Sequence, residues 1–232
     1  MPLLLLIRHG ENEFVKTGKL AGHLPEVHLN ERGQKQAAEL AEALKQLPIK
    51  AVYSSPLERA RETAAPLAAA LGLEVIFREG LIETGIGDWA GQELKTLSKL
   101  PEWKTVQNSP SRFRFPNGES FAECQTRLVS AVESIVKAHK PEEMIVCVSH
   151  ADPIKLLTAY YLGMPLDTFQ RLACDTASLT VLMLSDKGVL LAKLNQRPPF
   201  SFPMPEKKGR GKKEASNLGG TRTATDGAEK PG

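Results

Sequence analysis

Two short apolar runs frame this chain. Leu3-Leu4-Leu5-Leu6-Ile7 leads into Arg8-His9-Gly10, and Met144-Ile145-Val146-Cys147-Val148 leads into Ser149-His150. Runs this continuous, bounded by polar residues or glycine, read as strands buried on both faces of a parallel sheet. Open α/β sheets bind ligands just beyond the carboxyl ends of such strands. Both histidines are therefore expected to face one crevice. Arg8 biases that crevice toward an anion, because a guanidinium stays charged and holds planar oxyanions.

The remaining pattern alternates strands with helices. A polar loop runs to about residue 29, and the spacing then predicts a helix over about 31–46 capped by Asn30. A short strand follows near 51–53. In Ser54-Ser55-Pro56-Leu57-Glu58-Arg59, Ser55 reads as an N-cap, Pro56 as the first helical residue and Glu58 as the return arm of a capping box. That helix extends to about residue 71 and stops at Gly72, before a third strand over 74–77 and a loop over 80–91 rich in glycine and acids. Residues 92–118 predict a short helix near 92–100, then an irregular stretch punctuated by Pro101, Pro110 and Pro116 and placed to cover the site. A long helix over about 119–139 carries apolar residues at Leu128, Val132, Ile135 and Val136. After the strand ending at Ser149, a helix is expected with Asp152 as cap and Pro153 first inside it. Segments 177–184 and 189–194, split by Asp186-Lys187-Gly188, predict a closing hairpin or two edge strands. The whole describes a three-layer α/β/α sandwich around a mostly parallel central sheet.

Composition narrows the class. With 232 residues and 41% hydrophobic content, one domain over 1–196 buries a sufficient core. From residue 197 the chain turns to Pro-Pro, then Lys207-Lys208-Gly209-Arg210-Gly211-Lys212-Lys213, then small polar residues, so 197–232 reads as a disordered basic tail. Lys and Arg number 30 against 27 Asp and Glu, but seven of the basic and four of the acidic residues lie from Phe200 onward, leaving 23 against 23 in the body. A neutral body argues against nucleic-acid binding by the globular part. Cys124, Cys147 and Cys174 are odd in number and widely spaced, which indicates neither a disulfide framework nor a zinc knuckle and fits a reducing cytoplasm. The opening Met-Pro-Leu-Leu-Leu-Leu lacks a basic segment and is short for a secretory signal, and no run approaches the length of a membrane span.

The chemistry gathers after three strands. Arg8-His9-Gly10 follows the first, Arg59 sits at a helix start after the second, and His150 precedes a helix after the fourth. Helix N-termini add partial positive charge and free N–H groups, so a phosphate-sized anion is the natural occupant. A charge pair at 4 Å is worth about 4 kcal/mol at an effective dielectric of about 20, against about 1 in bulk water.

Arg8-His9-Gly10-Glu11 resembles the signature of the histidine phosphatase superfamily, in its phosphoglycerate mutase-like branch. Ser54-Ser55-Pro56-Leu57-Glu58-Arg59-Ala60 with Thr63-Ala64 is similar to a second motif of that family, and Leu81-Ile82-Glu83 with Gly87, Trp89 and Gly91 to a third. Gly118-Glu119-Ser120 and Val148-Ser149-His150 complete an ordered set across residues 1 to about 195. The resemblance implies that His9 is the nucleophile and becomes a phosphohistidine. It also implies that Arg8, Arg59 and His150 hold the phosphoryl oxygens. Asn12, where many members have Thr or Ser, is expected to substitute as a phosphate donor, and Glu11 and Gly22 are expected beside the substrate. It favours Glu83 as the acid that protonates the leaving alkoxide, although Glu79 and Asp88 are nearby and loop geometry decides among the three. No metal or other cofactor is called for, and Arg8 beside His9 disfavours a cation there.

Departures from the family pattern bear on the reaction. Val15 stands where many members place an asparagine, and Ala21-Gly22 where a Thr-Gly is common. Phosphoglycerate mutases carry an Arg-His-Tyr-Gly stretch after the glutamate, and here Thr84-Gly85-Ile86-Gly87 stands instead. The expectation is therefore a metal-independent phosphatase acting on a small phosphorylated molecule, ahead of a phosphomutase or a phospho-ligand-binding protein without catalysis. Arg112 and Arg114 are candidates for a second anionic group of the substrate, with a solvated loop as the alternative.

Overall fold

The computed structural model describes residues 2–185 and 188–200. The element order is β1 (Leu3–Arg8), α1 (Glu13–Thr17), α2 (Glu31–Leu44), β2 (Ile49–Ser54), α3 (Glu58–Leu71), β3 (Val75–Phe77), α4 (Leu94–Leu97), α5 (Pro101–Asn108), α6 (Phe121–Lys137), β4 (Met144–Ser149), α7 (Ala151–Tyr161), β5 (Leu179–Ser185) and β6 (Gly188–Gln196). The six strands form one sheet in the order β3-β2-β4-β1-β5-β6. β1, β2, β3 and β4 run parallel, whereas β5 runs against β1 and β6 against β5. The two apolar runs are the two central neighbours of this sheet. Their register pairs Leu3 with Met144 and Arg8 with Ser149, so His9 and His150 leave adjacent strand ends at the same level.

Alternation along the strands feeds two cores. Leu4 and Leu6 of β1 share a buried cluster with Cys147 of β4, with Cys124, Leu128 and Val132 of α6, and with Leu156 of α7. Leu5 and Ile7 point the other way, and α2 and α3 bury their own apolar stripes, including Ala37, Leu40, Ala64 and Leu67. Cys147 is an inert core thiol, pushed by burial up to about 12. Among the described residues no helix is long and apolar enough to cross a membrane.

Several boundaries differ from the sequence reading, each for a local reason. The loop before α2 contains the short helix α1, capped by Asn12, whose side chain accepts from the Val15 backbone N–H. Helix α3 begins at Glu58 with Leu57 at its N-cap position and no side-chain cap. Ser55 lies two residues ahead of that position, where its Oγ accepts from Leu57 N at 3.4 Å and meets His150. Helix α7 begins at Ala151 with His150 in the N-cap position, and the Asp152 carboxylate pairs with Lys155 at 2.8 Å instead of capping. In the 92–118 segment, Pro101 opens α5 rather than interrupting the chain. The Asp186-Lys187 part of the hairpin turn, the Lys207–Lys213 cluster and the remainder of the tail from residue 201 lie outside the described residues.

Candidate active site

A cavity of about 360 Å³ opens at the carboxyl ends of β1 and β4, floored by Arg8, His9, Arg59 and Asp152 and reached by Glu83 from the loop after β3. The His9 and His150 ring centroids stand 5.1 Å apart at an interplanar angle of 61°. Both rings are buried, and burial, followed by the charges around them with Arg59 foremost, holds each well below the ordinary histidine value. Both are therefore neutral imidazoles at neutral pH.

The backbone fixes the tautomer of His9. Its Nδ1 lies 2.7 Å from the carbonyl oxygen of Gly10, which can only accept, so Nδ1 carries the proton and Nε2 carries the free lone pair. Gly10 is held in turn by its N–H, which donates to Thr63 Oγ1 at 2.9 Å, while Thr63 Oγ1 donates to the Arg59 carbonyl one turn back in α3. Gly10 also has to be glycine, since a Cβ there would stand 2.7 Å from the carbonyl oxygen of Gly33 in α2.

Among the described residues, four buried nitrogen atoms of this site find no hydrogen-bond partner: Arg8 Nε, Arg59 Nη1, Asn12 Nδ2 and His150 Nδ1. Each belongs to a side chain whose other polar atom is anchored. Arg8 Nη1 donates to the Cys174 carbonyl at 2.7 Å, and Arg59 Nη2 to the Gly22 carbonyl at 2.8 Å. Asn12 Oδ1 accepts from Val15 N at 2.9 Å. His150 Nε2 lies 2.8 Å from Ser55 Oγ. Buried donors are nearly always satisfied, so four anchored and unsatisfied donors around one imidazole describe a cradle for an oxyanion.

Glu83 completes the cavity. Its Oε1 accepts from the Thr84 N–H at 2.8 Å, and its Oε2 stands 3.9 Å from His150 Nδ1. Burial foremost, then the Asp152 charge, raises this carboxyl to about 7 against the opposing pull of Arg59. The group thus holds a proton near neutrality, as a general acid must. Its two sequence rivals lie elsewhere: Asp88 binds Asn117 at 3.0 Å, and Glu79 is exposed outside the cavity.

The loop bearing Glu83 is held from α6. Arg127 donates from Nη1 to the Gly80 and Ile82 carbonyls and from Nη2 to that of Glu83, and pairs with Glu119 at 2.7 Å. Glu119 accepts from the Gly85 N–H at 2.7 Å, and Ser149 Oγ donates to the Leu81 carbonyl at 2.7 Å. From sequence, Glu119, Thr63 and Ser55 stand as motif members, Ser55 and Asp152 read as helix caps, and Arg127 has no role.

Two expected residues stand differently. Glu11 does not face the cavity: its carboxylate turns to Asn30 at 3.1 Å and to Arg32 at 3.1 Å, in a separate depression at the start of α2. Gly22 lines the cavity through its backbone and anchors Arg59. Val15 lines the wall as an apolar group beside Asn12. Arg112 and Arg114 lie outside the lining, and Arg114 is paired with Glu123.

Comparison with known proteins finds relatives over most of the chain. The phosphoserine phosphatase 1 of Hydrogenobacter thermophilus is 35% identical over 197 residues, covering 84% of this chain and 92% of that one. The phosphoserine phosphatase of Entamoeba histolytica, solved with 3-phosphoglyceric acid, superposes with a TM-score of 0.78 at 28% identity over 85% of this chain and 98% of the other. A mycobacterial glucosyl-3-phosphoglycerate phosphatase, solved with VO3, superposes at 0.77 with 26% identity over 84% and 99%. The family model described as histidine phosphatase superfamily, branch 1, matches residues 4–197, and with the relatives covering most of the same span this chain belongs to that superfamily.

Proposed function

We propose that this chain hydrolyses small phosphomonoesters through a covalent phosphohistidine on His9. The observation that carries the reading is the lone pair of His9 Nε2, exposed by the Nδ1 to Gly10 hydrogen bond and ringed by four anchored donors. In the first half-reaction Nε2 attacks phosphorus, the phosphorus–oxygen bond to the alcohol breaks, and Glu83 passes its proton to the departing oxygen. In the second, a water oxygen attacks phosphorus, Glu83 takes back a proton, and the nitrogen–phosphorus bond breaks to release inorganic phosphate and neutral His9. Arg8, Arg59, Asn12 and His150 hold the phosphoryl oxygens throughout. Loss of one such donor costs roughly 10²–10³-fold in rate. Glu11 takes no part in this scheme, and Gly22 acts by holding Arg59.

A cytoplasmic setting is part of the same proposal, supported by three free thiols, two of them buried. Rapid quenching with a ³²P-labelled ester tests the chemistry: an acid-labile, base-stable adduct should appear in the parent and vanish in His9→Ala. Steady turnover by His9→Ala would sink the nucleophile assignment.

A further inference from the structure

Beyond the phosphoryl cradle, the cavity is short of charge. Among the described residues, Lys19, which is exposed, is the one cation on its lining besides Arg8 and Arg59. The Asp152 carboxylate borders the same space and repels a second anion. The cations of the covering segment, Lys95, Lys99, Lys104, Arg112 and Arg114, lie outside the lining. The rest of the lining is instead mostly apolar, with Phe14, Leu20, Ile86, Trp103 and Val106 on it beside the neutral Gln107 and Gln170. Trp103 is held flat by stacking on buried Trp89, with centroids 6.0 Å apart and an interplanar angle of 23°. Leu94 continues this wall to the mouth and is 36% exposed there.

Resting on the phosphatase reading above, we infer that the site takes phosphomonoesters whose alcohol portion is uncharged and apolar, preferably aromatic. Trp103, with Leu20 and Val106, sets that preference. An aromatic ring entering the space gains burial against this wall, whereas a carboxylate entering it loses water and gains only Lys19. The preference differs from what the names of the similar phosphatases suggest, since phosphoserine and phosphoglycerate esters both carry a carboxylate.

The test compares esters of ordinary alcohols, so that leaving-group acidity is not the variable. 2-Phenylethyl phosphate should exceed O-phosphoserine, 3-phosphoglycerate and glycerol phosphate in kcat/KM by about tenfold or more. Trp103→Ala should lower kcat/KM for 2-phenylethyl phosphate about tenfold more than it lowers that for glycerol phosphate. Gln107→Arg, an exposed change on the same lining, should raise kcat/KM for 3-phosphoglycerate. A parent enzyme that prefers either acid-bearing ester overturns the inference, as does a Trp103→Ala that lowers all esters equally. Absence of turnover with every ester, p-nitrophenyl phosphate included, overturns the phosphatase reading beneath it.

Discussion

Arg127 Nη2 reaches the backbone carbonyl of Glu83 at 3.3 Å, across 44 residues of sequence. Together with the bonds to Gly80 and Ile82 it makes one guanidinium the clasp of the whole acid-bearing loop. Arg127→Met should therefore mimic Glu83→Gln in one specific respect. Both should slow hydrolysis of alkyl phosphates by roughly 10²-fold while sparing p-nitrophenyl phosphate, whose phenolate departs without a proton. A steepened dependence of rate on leaving-group pKa in both variants is the measurement. Equal loss on both ester types in Arg127→Met would assign Arg127 to stability alone.

Ser55 decides which nitrogen of His150 carries the proton. Its Oγ accepts from Leu57 N at 3.4 Å and so has its own hydrogen free to donate to His150 Nε2. That leaves the ring proton on Nδ1, turned toward the cradle and Glu83. Ser55→Ala should remove this bias and lower kcat roughly 10-fold or more, with Ser55→Thr restoring most of it. Nitrogen-15 chemical shifts of the His150 ring should report the Nδ1–H form in the parent and a mixture in Ser55→Ala. An unchanged ring spectrum in Ser55→Ala would refute the assignment.

The pH profile should be asymmetric. His9 stays neutral well below its ordinary value, so loss of nucleophile does not set the acid side. Above about 7 Glu83 loses its proton, and hydrolysis of alkyl phosphates should fall along that limb. Glu83→Gln should abolish the limb. Stability has the matching sign: a carboxyl raised from 4.5 to about 7 on folding favours the native state at low pH and loses that contribution as pH climbs between those values. The thermal midpoint of Glu83→Gln relative to the parent should accordingly improve from pH 4.5 to 7, as followed by calorimetry.

Two glycines separate backbone strain from crowding. Gly87 has φ +49° and a Cβ there would overlap the Pro116 carbonyl, whereas Gly72 has φ +66° and open space around it. Gly72→Ala should cost about 1 kcal/mol, the backbone penalty alone. Gly87→Ala adds overpacking and should cost about 3 kcal/mol. Denaturant unfolding of both variants checks the difference, and equal losses would mean that the segment around Pro116 gives way freely.

What sequence revealed and what it hid divide along physical lines. β1 and β4 were legible because a strand buried on both faces has no polar alternation to confuse it, and the histidines followed from their ends. Asn30 bonds Gly33 N as a cap should, because capping is local. The start of α3 differs from the reading because Ser55 meets both Leu57 N and His150, ahead of a helix that begins only at Glu58. Arg127, Thr63 and Asp152 act across the fold, so nothing beside them in the chain marks their roles. The Ser120 and Glu123 capping box of α6 is a local signal that marks its start at Phe121, two residues inside the boundary read from apolar spacing.

The pairing of Leu3 with Met144 joins strands about 140 residues apart. His9 and His150 are separated by the same stretch of chain, so the would-be nucleophile and its neighbouring imidazole start far apart. Until β4 slots between β1 and β2, His9 is an ordinary side chain on an open polypeptide. Reactivity toward phosphate esters thus waits on a long-range closure of the sheet.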